Sequence, residues 1–275
     1  MSEAVIALNG IEKAYGSHKV LKGVDMQVNK GDIYGLVGKN GAGKTTLFKV
    51  ILGLSTFEGG KLSIMGGKNE NENRKARRKI GFFVGANFFG YMNARGNLDY
   101  YRRLKGIKDK SEIDRVLEIV NLTGDAAKVP AKRYSLGMKQ RLGIANSLLG
   151  NPEIIIMDEP TNGLDPQGIA DVRNLIQRIN EEQGTTIIVS SHILSELEHT
   201  AHRFGIVHEG VLMREISQDE MKNESKITTI DIDTEYAEKA KEILGANGVP
   251  IKKIDKKTFS LEDFYFGMIG GEGNK

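Results

Sequence analysis

The sequence predicts an α/β protein: a parallel sheet of short buried strands alternating with helices, an antiparallel β opening, a helix-rich middle and a small C-terminal α+β extension. Three observations carry this reading. DIYGLV, PEIIIMDEP and TTIIVSSH are short apolar runs rich in β-branched residues, as strands covered on both faces are. Helical patterns separate them, which is how parallel strands are joined. A glycine-rich turn links the first of these strands to a helix.

The elements follow in order. Residues 1–35 alternate apolar runs with turns and read as several antiparallel strands. After DIYGLV, Leu47, Val50, Ile51 and Leu54 fall at helical spacing. FEGGKLSIMGG is a turn and strand, and RKARRK (74–79) reads as a solvated helix face. Residues of about 86–150 are helix-rich, with LDYYRRLKGI, SEIDRVLEIVNL and SLGMKQRLGIANSLLG; Ser135 is placed to cap the last. PEIIIMDEP, GIADVRNLIQRINEEQG and TTIIVSSH then give strand, helix, strand. Beyond residue 216 the pattern changes. ITTIDID alternates as a strand, TEYAEKAKEILGANG is helical, and SLEDFYFGMIG presents Leu261, Phe264, Tyr265 and Met268 on one helical face behind a Ser260 cap. That stripe reads as a packing face. The expected domains are 1–216 and 217–275.

Composition bounds the function. The chain has 275 residues, 39 basic against 36 acidic, and a net charge of +3. So weak a positive charge gives no footprint for nucleic acid. No cysteine is present, which excludes disulfides and thiolate metal sites and suits a reducing cytoplasm. MSEAVIALNG lacks the basic-then-apolar pattern of a signal peptide, and no apolar run is long enough to span a bilayer.

The chemistry begins at Gly38-Lys39-Asn40-Gly41-Ala42-Gly43-Lys44-Thr45, which fits G-x-x-x-x-G-K-[ST]. Its glycines let consecutive N–H groups turn inward around a phosphate, and the helix behind adds its positive end. Lys44 then reaches the terminal phosphates, Thr45 offers a hydroxyl to Mg²⁺, and Thr46 adds a second hydroxyl. IIIMDEP ends a buried strand in two acids. Asp158 is placed for the Mg²⁺ shell and Glu159 to polarise an attacking water. Two acids there could instead simply cap the next helix. His192 ends another buried strand and is placed against the γ-phosphate, since open α/β sheets put ligands at the carboxyl ends of their strands.

With these motifs in this order, the sequence resembles the nucleotide-binding subunits of ABC transporters over about residues 4–216. Gly38–Thr45 matches the Walker A loop, IIIMDE the Walker B strand with its catalytic glutamate, YSLGM (134–138) the LSGGQ signature, GLDP (163–166) the D-loop with Asp165 as its acid, and His192 the switch histidine. Tyr15, in KAYG, matches the aromatic that stacks on adenine. The resemblance implies a P-loop NTPase core of ABC type, with ATP and Mg²⁺ as cofactors. It implies two copies closing head to tail, with Ser135 and Gly137 of one against the ATP of the other. It also implies a separate permease that holds the chain at the inner face of the membrane. Two departures stand out. Leu136 and Met138 replace a glycine and a glutamine of the signature, which resembles the drug and antimicrobial-peptide exporter branch. Gly85 occupies the position of the Q-loop glutamine and has no side chain to ligate anything; either Asn87 or water takes that role, or coupling to the permease is weaker or different, and no Q-loop residue is assigned. The aromatic stretch NFFGYM (87–92) is read either as a docking surface for the permease or as core. The rival class, an ABC-type ATPase acting on nucleic acid or ribosomes, lacks the coiled-coil insertion or second cassette it would need. A subunit that binds ATP but hydrolyses it poorly is kept open by Gly85 and opposed by Glu159 and His192.

Overall fold

The computed structural model describes residues 3–85, 88–224, 230, 232–249 and 251. In chain order they form β1 (Ala4–Tyr15), β2 (His18–Asn29), β3 (Ile33–Val37), α1 (Lys44–Ile51), β4 (Gly59–Ile64), α2 (Glu70–Ala76), β5 (Ile80–Val84), α3 (Ala94–Leu104), α4 (Ser111–Ile119), α5 (Leu136–Leu148), β6 (Ile154–Asp158), α6 (Pro166–Gln183), β7 (Thr186–Ser191), α7 (Leu194–Glu198), β8 (Arg203–His208), β9 (Val211–Ser217), α8 (Gln218–Glu224) and α9 (Ala237–Ala246).

Two sheets result. A three-stranded antiparallel sheet has the order β2-β1-β4. A six-stranded sheet has the order β5-β6-β7-β3-β8-β9, parallel except for the terminal β9. The central strands are apolar on both faces because each face covers a different core. Along β6, Ile155 and Met157 enter one cluster with Leu98, Leu142 and Ile176 of the helices, while Ile154 and Ile156 enter another with Ile6, Val24 and Phe48. The same alternation separates Ile33 and Val37 from Tyr34 and Leu36 on β3. A period of two with both sides buried leaves no polar position, hence the continuous runs in the sequence.

The register sets the site. Val37 pairs with Ser191, and Asp158 with Ser190. The carboxyl ends of β3, β7 and β6 therefore lie side by side, although the three strands are far apart in sequence.

Two local expectations are corrected. α1 ends at Ile51, a turn carries the chain onward, and Leu54 lies outside the helix and is exposed. Arg77 is not a solvated charge: its Nε donates to the Ile51 carbonyl at 2.7 Å, and its guanidinium pairs with Glu70 and packs on Gly53. The orphan carbonyl at the end of α1 is what draws it in.

The chain divides into two compact units, Met1–Met221 and Lys222–Lys275. The described part of the second holds a 3₁₀ turn at Thr234–Tyr236 that runs into α9. The strand read over 227–233 falls largely outside the described residues, and the helix read from Ser260 falls wholly outside them.

Candidate active site

The phosphate loop begins where β3 ends. Gly38 is packed so tightly that a Cβ there would stand 2.5 Å from the Val207 carbonyl oxygen. Gly41 and Gly43 have φ of 81° and 112°, which side-chain-bearing residues rarely adopt. Such a glycine-rich turn can direct backbone N–H groups at an anion, and Gly43 leads directly into α1. Lys44 is buried, and its Nζ lies over the loop, bonded to the Gly38 carbonyl and 3.3 Å from that of Lys39. Asn40 is exposed, and Thr46 is half-buried in the first turn of α1.

The next strand but one supplies the acids. Thr45 Oγ1 donates to Asp158 Oδ2 at 2.6 Å, so a hydroxyl and a carboxylate converge across β3 and β6. Oxygen donors of that kind suit Mg²⁺. Glu159 has a φ of 48°, an uncommon conformation for a residue with a side chain. Its carboxylate takes Lys44 Nζ at 3.4 Å on Oε1 and His192 Nδ1 at 3.0 Å on Oε2. Neither acid caps the following helix. Asp165 does, accepting from the Gly168 N–H at 3.0 Å.

Ser190, which the sequence reading did not single out, joins the two acids. Its Oγ donates to Asp158 Oδ1 at 2.6 Å and accepts from the Glu159 N–H at 3.0 Å. Ser191 and Thr161 both donate to Glu196 Oε2 at 2.8 Å, which ties the turn after Glu159 and the end of β7 to α7. The only hint in the sequence was the pair of serines before His192; that one faces the acids follows from the β6–β7 register.

The remaining candidates are not gathered at this centre. Ser135 caps α5, accepting from the Met138 N–H at 3.2 Å, and is exposed. Gly137 lies in the first turn of that helix, with Leu164 against it, and Leu136 packs on Gly163. The preceding Tyr134 is buried and donates to the Ala126 carbonyl at 2.8 Å; burial pushes its phenol above the ordinary range, so it stays a donor. Tyr15, at the end of β1, is half exposed. Gly85 follows β5 with a φ of 73°, a glycine-type turn with open space around it. Asn87 lies outside the described residues.

Fold and site together define a nucleotide hydrolase of the phosphate-loop class. A family model described as "ABC transporter" matches residues 21–162. The bacitracin transport ATP-binding protein BcrA of Bacillus licheniformis is 39% identical, the match covering 97% of this chain and 98% of that protein. The lantibiotic transport ATP-binding protein SrtF of Streptococcus pyogenes is 40% identical over 80% of this chain and 93% of its own length. Among solved structures, the dimeric post-hydrolysis ATP-binding cassette MJ0796, bound to ADP and Pi, superimposes with a TM-score of 0.68 at 26% identity, covering 78% of this chain and 98% of that one. The chain belongs to the ABC transporter family, and it is an ATP-hydrolysing subunit of that family. Among the described residues no helix is long and apolar enough to cross a membrane.

Proposed function

We propose that this chain hydrolyses ATP to drive a separate membrane permease, and that the cargo is exported: a drug, an antimicrobial peptide or a lipid-like solute. The observation that carries the reading is the convergence of Lys44, Thr45, Asp158, Glu159 and His192 at one sheet edge. Likeness over nearly the whole chain to a bacitracin transport protein supports the cargo class.

Each residue has a distinct task. Lys44 and the loop N–H groups neutralise phosphate charge. Thr45 and Asp158 would hold Mg²⁺, which supplies further charge neutralisation at the phosphates. Glu159 accepts a proton from the attacking water, a role supported by its place at the end of β6 next to the phosphate loop. His192 holds one carboxylate oxygen through Nδ1. With its proton on Nδ1, it can donate to a phosphate oxygen through Nε2 only as the imidazolium. Tyr15 stacks on adenine. Ser135 and Gly137 serve the ATP of a second copy, and Asp165 fixes the loop between that helix start and Glu159. The chain is then complete only as an ATP-sandwich dimer, in which the nucleotide is part of the interface.

The docking face for the permease is the aromatic segment after Gly85. Phe88 turns inward onto Tyr101, whereas Tyr91 is 72% exposed and Phe89 stacks edge-on to Tyr100, itself on the surface. Core packing and docking are thus divided between neighbouring residues.

The test is native copurification from detergent-solubilised membranes of the source cell. A polytopic membrane protein recovered in stoichiometric amount is expected. Recovery only in the soluble fraction with ribosomal proteins or nucleic acid would overturn the transport reading and leave the ATPase site untouched.

A further inference from the structure

Tyr15 is not a bare ring on the surface. Lys13, two residues earlier on β1, is 7% exposed, and its Nζ lies over the Tyr15 ring, 5.2 Å from the centroid. A buried ammonium needs compensation, and Glu58 provides it at 2.7 Å through Oε1. The other oxygen of Glu58 accepts from the backbone N–H of Ala14 at 2.9 Å, the residue immediately before Tyr15. Glu58 is itself fixed, since its N–H donates to the Glu12 carbonyl at 2.9 Å. At the far end of the ring, the Tyr15 hydroxyl is 3.4 Å from Ser55 Oγ. One carboxylate thus holds both the cation over the ring and the backbone that carries the ring. The hydrogen bond from Lys13, with that from Ala14, keeps the Glu58 carboxyl below the ordinary range, so it stays charged near neutrality.

We propose that Lys13 and Glu58 build the nucleobase platform: Lys13 occupies one face of Tyr15, fixes the ring plane and leaves the opposite face for the adenine. This rests on the reading of Tyr15 as the base-stacking residue. Lys13 is a positioning residue, acting on the nucleotide through the ring. A cation held within about 6 Å of an aromatic face is attracted by the ring's quadrupole, so the ring is anchored from below while its outer face stays open. Neither Lys13 nor Glu58 touches phosphate in this arrangement. Their effect should therefore depend on the base.

The experiment compares ATP with inorganic tripolyphosphate, which can enter the phosphate loop but has no base to stack. Binding of each to the full chain is followed by titration calorimetry, alongside steady-state ATPase kinetics. Lys13→Met, which keeps the apolar stem and removes the charge, is expected to weaken ATP about fivefold and leave tripolyphosphate within about twofold, on the scale of a partly desolvated cation–ring contact. KM should rise with kcat unchanged. Lys13→Arg should retain ATP affinity, and Glu58→Gln should follow Lys13→Met. Unchanged ATP affinity in Lys13→Met would overturn the inference, and so would an equal loss of both ligands, which marks a general structural defect. Tyr15→Ala separates the two levels. If it leaves ATP affinity intact, the base-stacking reading itself fails. If it weakens ATP alone while Lys13→Met does not, only the role of Lys13 fails.

Discussion

Oε2 of Glu159 lies 3.0 Å from Nδ1 of His192, while the other oxygen of the same carboxylate faces Lys44 Nζ at 3.4 Å. A single side chain therefore connects the ends of β6 and β7 with the phosphate loop. Its left-handed backbone, φ 48°, turns it out of the strand line to do so.

Replacing that carboxylate by an amide keeps the shape and removes the base. Glu159→Gln is expected to lower ATP turnover at least ~100-fold, the scale of a lost general base, with ATP affinity retained. Phosphate release and equilibrium nucleotide binding, measured on the same preparation, check this. Turnover within a few-fold of the native chain would exclude Glu159 as the base.

Ser190 is the hinge between the two acids, bonded to Asp158 Oδ1 and to the Glu159 N–H. Ser190→Ala leaves both groups without that partner. About tenfold lower kcat, or roughly 1.4 kcal/mol in the barrier, is expected, with more Mg²⁺ needed for half-maximal rate. A Mg²⁺ titration of the ATPase rate decides it.

Gly38 and Gly41 share a loop but not a constraint. A methyl group on Gly38 meets the Val207 carbonyl at 2.5 Å, whereas at Gly41 it meets open space at a φ of 81°. Gly38→Ala should displace the loop and reduce ATP affinity more than about tenfold. Gly41→Ala should cost only backbone strain, about 1 kcal/mol. Calorimetric titration of both variants distinguishes steric loss from conformational cost.

Glu112 on α4 pairs with Arg115 at 2.8 Å and accepts from the Gly150 N–H at 3.1 Å, just beyond α5. Chiefly the Arg115 guanidinium holds its carboxyl below the usual range. A depressed carboxylate contributes stability above its unfolded pKa, and that contribution is lost as pH falls through the lower folded value. Glu112→Gln should therefore lower the melting temperature by about 2–4 °C at pH 7, equivalent to about 1 kcal/mol. The difference from the native chain should begin to narrow as pH falls below about 4, the ordinary glutamate range. Thermal melts at both pH values provide the check.

Much of this was legible in the sequence because strands buried on both faces and glycine-rich loops leave local marks. Gly38–Thr45 and IIIMDE could be read one residue at a time. Ser190 could not, because its meaning depends on β7 lying beside β6 in a register that only non-local pairing sets. The Lys13–Glu58 pair was hidden for the same reason: β1 and the start of β4 meet across a sheet. Leu54 misled because helical spacing continued past the turn that ends α1. Arg77 misled because a basic run looks solvated until a helix end offers it a carbonyl.

In the proposed mechanism ATP completes an interface between two copies of a hydrolytic subunit. Its most direct test is sedimentation of Glu159→Gln, which should bind ATP without consuming it. With ATP and Mg²⁺ a dimer is expected, and with ADP a monomer. A monomer under both conditions, with ATP bound, would contradict it.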